Sequence, residues 1–88
     1  MTHRTTPRFW SLYNALPEPV QTLADKQHEL LERDPAHPSL HFKKVGRTLW
    51  SVRVSNSYRA LALEVTDGFL WFWIGSHDEY ERIIKNNG

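Results

Sequence analysis

The feature that most constrains the fold of this chain is an unbroken apolar run, Phe69–Ile74. Turn-forming residues bound it, with Asp67-Gly68 before it and Gly75 after it. A short apolar run between turns is typical of a strand buried on both faces, whereas a membrane-spanning helix needs about 20 apolar residues. Because Asp-Gly is a strong hairpin signal, we expect a central strand paired with the preceding strand, Tyr58–Val65, and no membrane span.

Two further strands are predicted before this hairpin. Residues Leu49–Val54 alternate in character, which places Val52 on one face of a sheet and Arg53 on the other. Apolar residues at positions 40, 42 and 45 indicate an earlier strand that ends at Gly46. The sequence thus predicts three or four antiparallel strands, with helices on one face of the sheet and the other face partly open.

Helical spacing appears at both ends of the chain. Thr6-Pro7 matches an N-cap followed by proline at the first helical position. A second helix, with an apolar face from Val20 to Leu31, ends at Asp34-Pro35, and Ser76 is expected to cap a last helix. One domain over residues 1–88 is predicted, of the α+β class. In it an N-terminal α-helical hairpin packs on a three- to four-stranded antiparallel sheet, followed by a short C-terminal helix.

The charges are unevenly distributed, although the formal net charge is only +1. No Asp or Glu occurs from Pro35 to Leu63, so all ten acidic residues lie outside this stretch. The cations within it are Lys43, Lys44, Arg47, Arg53 and Arg59. A basic block in a near-neutral chain indicates a local anion-binding surface, with a solvated basic edge as the alternative interpretation.

This block, taken with His77 and Tyr80 of the predicted last helix, has the residue types that RNA cleavage requires. Attack by a 2′-hydroxyl needs a base for its proton, cations for the phosphate and an acid for the 5′ oxygen. Two arginines would hold the phosphate, a histidine would transfer protons, and a tyrosine would stack or donate a proton. The predicted catalytic residues are Arg53, Arg59, His77 and Tyr80. The predicted nucleic-acid-binding residues are Lys43, Lys44 and Arg47.

Three of the four catalytic candidates also have a structural interpretation. Arg59 would pair with Glu64 or a helix carboxylate, as surface cations commonly do. Tyr80 would be a core ring with a satisfied hydroxyl, and His77 would only cap a helix.

Composition argues against a metal or a cofactor. Asp34, His37 and His41 are loosely spaced in a proline-containing loop and do not make a metal-site pattern. There is no glycine-rich phosphate loop, so no cofactor is expected. The chain has no Cys and its N-terminus has no apolar segment typical of a signal peptide, so we expect a cytoplasmic protein.

Several segments, taken in order, resemble the RelE/ParE superfamily of bacterial toxins, and the ParE-like branch in particular. They are Leu40–Lys44, Leu49–Val54, Tyr58–Leu61 and Trp71–Tyr80. The resemblance implies two N-terminal helices against an antiparallel sheet and a cognate antitoxin that covers the site, in a hetero-oligomer. It also matches Arg53 to a strand cation, Arg59 to the arginine of a Tyr-Arg step, and His77 to a basic residue after the last strand. Lys43 or Lys44 falls near the family's basic cluster, and Tyr80 stands for its C-terminal tyrosine.

Three functions stay open, two of them implied by the resemblance. RelE-type toxins cut mRNA in the ribosomal A site without a metal, and this is the preferred expectation. ParE toxins poison DNA gyrase without being nucleases. A non-toxic RNA-binding or partner-binding module is the third alternative.

Overall fold

A computed structural model describes residues 2–87 and contains a five-stranded sheet with helices on both faces. The strands are β1 (Thr2–Thr5), β2 (Lys43–Lys44), β3 (Leu49–Ser55), β4 (Tyr58–Val65) and β5 (Gly68–Ser76). The helices are α1 (Pro7–Asn14), α2 (Glu18–Arg33) and α3 (His77–Asn87), with a short 3-10 helix at Pro38–Leu40. The α+β class, the N-terminal helical hairpin and the C-terminal helix are confirmed. Among residues 2–87, no helix has the length and apolar character needed to cross a membrane.

The helix starts follow the predicted capping signals. The Thr6 hydroxyl accepts a hydrogen bond from the Phe9 backbone N–H at 3.1 Å, with Pro7 at the first helical position. At α3 the Ser76 hydroxyl accepts from the Glu79 backbone N–H at 3.3 Å and lies 3.2 Å from the Glu79 carboxylate. These bonds satisfy N–H groups that a helix start leaves without partners.

The sheet order is β1-β5-β4-β3-β2, and it differs from the prediction in strand number and direction. β1 pairs with β5 in parallel, whereas every other pair is antiparallel. The Phe69–Ile74 run therefore lies between two strands, as expected for an interior strand. β1 was not predicted, because Thr2–Thr5 is polar and has no alternation of apolar and polar residues. It is held by backbone pairing, by an Arg4–Asp67 ion pair at 2.9 Å and by the Trp71 indole, which donates to His3 Nδ1 at 3.1 Å.

The prediction of a strand through residues 40, 42 and 45 that ends at Gly46 was mostly wrong. Only Lys43 and Lys44 pair with β3. Pro38 instead begins the 3-10 helix, which buries Leu40 completely, and His41 ends it in the left-handed conformation with φ of 44°. Proline fixes the backbone of that first turn, and this prevents the apolar alternation from forming a strand.

Each face of the sheet has its own apolar cluster. The first, under α1 and α2, includes Leu31, Val52, Ala60, Trp71 and Ile74. The second, under α3, is built on Leu49, Leu61, Trp73 and Tyr80. The face expected to be partly open is therefore covered in part by α3.

A β-bulge in β5 distributes two tryptophans between these clusters. Leu61 pairs with Trp73 and Ala62 pairs with Trp71, so Phe72 is the extra residue. Without the bulge, Trp71 and Trp73 would lie on the same face because strand side chains alternate. The Trp73 ring lies against Gly75, where a Cβ would be only 2.6 Å from the ring. Glycine at this position therefore gives Trp73 room on the α3 face.

Candidate functional site

The predicted residues converge on a cleft of about 400 Å³ between the sheet and α3, which we call the α3 cleft. Its lining residues are His41, Lys43, Lys44, Val45, Ser51, Arg59, His77, Tyr80, Glu81 and Ile84. Five of the seven predicted site residues are among them: Lys43, Lys44, Arg59, His77 and Tyr80. They come from β2, β4 and α3, which are distant in sequence and meet only through the sheet order.

Arg59 is partly buried and clamps the turn between β3 and β4. It donates to the backbone carbonyls of Ser55, Asn56 and Tyr58, the last at 2.9 Å, and not to Glu64. All three bonds use Nη1, and a guanidinium carries five N–H donors. The N–H groups on Nη2 and Nε of Arg59 can therefore donate hydrogen bonds to an anion.

Arg53 lies directly opposite Arg59 in the β3–β4 pairing but does not line the α3 cleft. Its guanidinium bonds to the Asn56 side chain and reaches the Ser39 carbonyl at 3.5 Å. Partial burial, and next the charge of Arg53, lower the pKa of Arg59. Like charges on paired residues destabilise a sheet, so this pair favours a bound anion nearby.

Arg47 is exposed in the loop between β2 and β3 and also lies outside the cleft lining. The two lysines of β2 are exposed. Lys44 lies 3.9 Å from Glu64, whose carboxylate also accepts the Trp50 indole N–H at 2.8 Å. Glu64 thus interacts with β2 and β3 rather than with Arg59.

His77 begins α3 beside Tyr80 and Glu81. Its Nε2 lies 3.3 Å from Glu81 Oε1, one helical turn further on, and its ring centre lies 5.6 Å from that of Tyr80. Tyr80 is only 5% exposed, and its hydroxyl bonds to Ser51 at 3.3 Å. The interpretation of Tyr80 as a core ring with a satisfied hydroxyl fits this geometry, while the ring still forms part of the cleft floor.

Three polar lining residues, Glu81, Ser51 and His41, were not predicted as site residues. Glu81 had a usable signal, since it lies four residues after His77 on a helix. Ser51 shares the predicted strand face of Arg53. His41 was considered only as a metal ligand, and in residues 2–87 no group of three or more His, Asp or Glu side chains is placed to hold a metal ion.

A second cavity, of about 240 Å³, lies between the helical hairpin and the sheet. Its lining includes Phe9, Leu31, Val52 and Trp71 but none of the predicted site residues. Trp10, which also lines it, is 47% exposed. This cavity has the character of an apolar contact surface rather than of a site for phosphate.

Comparison with known proteins identifies the class. Residues 18–82 match the ParE-like toxin domain family, so the chain belongs to that family. A search of curated protein sequences gave no match. The expected membership of the RelE/ParE superfamily is thereby confirmed.

Solved structures agree on the fold. A chain of the RelB–RelE antitoxin–toxin complex from Methanococcus jannaschii superposes with a TM-score of 0.71 at 11% identity, covering 91% of this chain and 96% of that one. The isolated RelE toxin of E. coli gives a TM-score of 0.61 at 12% identity, covering 96% and 95%. A copper-bound mutant toxin from Helicobacter pylori gives 0.59 at 15% identity, covering 90% and 97%.

Proposed function

We propose that this toxin domain is a ribosome-dependent mRNA endonuclease that inhibits translation. The observation that carries the proposal is the convergence of Lys43, Lys44, Arg59 and His77 on one cleft from three separate elements. A site of this charge suits a phosphodiester, and a histidine beside it provides the titratable group that proton transfer needs.

The proposed reaction uses the substrate's own nucleophile. The 2′-hydroxyl attacks the adjacent phosphorus as a base removes its proton, and the 5′ oxygen leaves with a proton from an acid. His77 takes one of these proton-transfer roles because it lies at the cleft. Arg59, through Nη2 and Nε, stabilises the charge that develops on the phosphate.

The remaining predicted residues take supporting roles. Lys43 and Lys44, both exposed on the edge strand β2, hold the RNA backbone. Arg53 strengthens the positive potential behind Arg59, which it faces across the β3–β4 pair. Tyr80 supports the ring of His77 from the cleft floor.

We also propose a cognate antitoxin as the partner, in a hetero-oligomer in the cytoplasm. The structural match to a chain of an antitoxin–toxin complex supports this. The surface supports it as well, because Trp10 is 47% exposed beside an apolar cavity. Aromatic side chains are enriched in protein interfaces, and this one lies at the mouth of an apolar cavity.

A growth experiment tests the proposal with a matched control. Arg59→Ala and His77→Ala should relieve growth arrest on induction, whereas Arg47→Ala, which removes a cation outside the cleft, should not. Thermal unfolding of each variant checks folding, since Arg59 also clamps a turn. Full toxicity of folded His77→Ala would contradict the catalytic assignment.

The family itself favours one alternative function, poisoning of DNA gyrase without nuclease activity. DNA synthesis would then stop before protein synthesis, and gyrase–DNA cleavage complexes would accumulate. Harmless accumulation of the folded protein would instead indicate a non-toxic binding module.

A further inference from the structure

Glu81 is the only carboxylate among the described residues that line the α3 cleft. Its neighbours in the lining include Lys43, Lys44, Arg59 and His77. An acid at this position is unexpected if the cleft serves only to attract anions, because it opposes the field of the surrounding cations.

The position of Glu81 is fixed by how α3 packs. Tyr80 and Ile84 hold the helix against the cluster under α3. Glu81 projects one turn after His77, with Oε1 at 3.3 Å from Nε2. Its side chain is 57% exposed, so its charge meets solvent rather than the core, while the residue lines the cleft.

Glu81 and Arg59 line the same cleft, and the carboxylate's charge partly opposes the lowering of the Arg59 pKa that burial causes. Glu81 therefore contacts the histidine that the proposed reaction uses for proton transfer, and it shares the cleft with the arginine assigned to the phosphate. A carboxylate 3.3 Å from His77 lies where a phosphate oxygen bound beside that histidine would come close to it.

We propose that Glu81 is an internal anion that screens the α3 cleft, so that a ligand with several phosphates, such as single-stranded RNA, binds and an isolated phosphate does not. A polyanion contacts Lys43 and Lys44 on β2 at the same time as the cations near α3, and these contacts offset the repulsion. A single phosphate beside His77 meets Glu81 without that compensation. The inference rests on the proposed function, since it assumes that the cleft receives an RNA backbone.

The test compares Glu81→Gln, which removes the charge and keeps the shape, with Asp78→Asn on the same helix. Asp78 is exposed and does not line the cleft. The affinity of the purified chain for a short fluorescein-labelled single-stranded RNA is measured by anisotropy at low salt. Inorganic phosphate binding is measured by NMR shifts of the His77 ring.

Removal of one charge in contact range should tighten RNA binding of Glu81→Gln by about three- to tenfold, and the gain should shrink as salt is added. Phosphate binding should become measurable in Glu81→Gln only. Asp78→Asn should change the RNA affinity by less than about twofold.

Equal RNA affinities for Glu81→Gln and Asp78→Asn would overturn the inference while leaving the proposed function intact. Slower RNA cleavage by Glu81→Gln at unchanged affinity would also overturn it, and would instead make Glu81 a positioning residue for His77. If the Lys43→Ala/Lys44→Ala double variant binds the RNA as tightly as the wild-type protein does, both the inference and the proposed function fail.

Discussion

Tyr80→Phe separates the structural role of Tyr80 from a catalytic one. The substitution removes only the hydroxyl, which bonds to Ser51 at 3.3 Å. Ser51 is 2% exposed, and no buried side-chain polar atom in the described chain lacks a partner. The variant therefore leaves the Ser51 hydroxyl buried without the bond it makes in the wild-type protein.

The expected cost follows from that loss. A buried hydroxyl deprived of its partner costs about 1.5 kcal/mol, and in a domain of this size the melting temperature should fall by roughly 6 to 12 °C. Thermal unfolding followed by circular dichroism measures this change. Growth arrest on induction should stay close to the wild-type level, because His77 and Arg59 keep their places.

A double-mutant cycle with Ser51→Ala checks the reasoning. Removing both hydroxyls leaves no orphaned group, so the double variant should be more stable than the sum of the single losses predicts, by about 1 kcal/mol. Additive losses would refute the Tyr80–Ser51 bond. A folded Tyr80→Phe that has lost its toxicity would refute the structural role and restore Tyr80 as a proton donor.

Two further predictions concern β1. Gly68→Ala should displace β1 and lower the free energy of unfolding by about 1–3 kcal/mol, because a Cβ there would lie 1.9 Å from the Thr2 carbonyl oxygen. The Thr6 amide donates to the Trp71 carbonyl, so its hydrogen exchange should become faster in the variant. Unchanged protection of this amide would contradict the prediction. Burial, and next the charge of His28, lower the pKa of His3, so the folded protein resists protonation of His3. The contribution of His3 to the free energy of unfolding should be fully present above its usual pKa of about 6.5. It should be lost as the pH falls through the lower pKa that His3 has in the folded protein. Urea titrations at several pH values measure this change. His3→Gln should reduce this pH dependence, and an identical pH profile in that variant would contradict the assignment.

Local signals were sufficient for most of the fold. The Thr6 and Ser76 caps, Pro17 at the start of α2 and the Asp67-Gly68 turn each specify backbone geometry within a few residues. Alternation in β3 correctly assigned Val52 and Ser51 to opposite faces. These features depend on neighbours in sequence, which is why the sequence alone reveals them.

The errors lie where distant segments decide the structure. β1 is a strand only because β5 offers a free edge, and its own residues carry no strand pattern. The bulge at Phe72 depends on the fit of Trp71 and Trp73 into different clusters. Neither can be derived from residue spacing.

The same distinction applies to the site. The acid-free stretch identified the cations, but which of them share a cleft depends on strand register. Lys43, Lys44 and Arg59 line the cleft, whereas Arg47 is in a loop and Arg53 bonds around the turn. The four-residue spacing of Glu81 from His77 indicates a shared helix face, but its place beside Lys43, Lys44 and Arg59 depends on other elements.

The most direct test of the proposed function is cleavage of ribosome-bound mRNA in a reconstituted translation system, mapped by primer extension. Wild-type protein should produce cuts at ribosome-positioned codons, and none on the same mRNA without ribosomes. Folded His77→Ala should lose this cleavage, and Arg47→Ala should retain it. Intact mRNA with wild-type protein, together with gyrase–DNA cleavage complexes in a parallel supercoiling reaction, would contradict the endonuclease assignment.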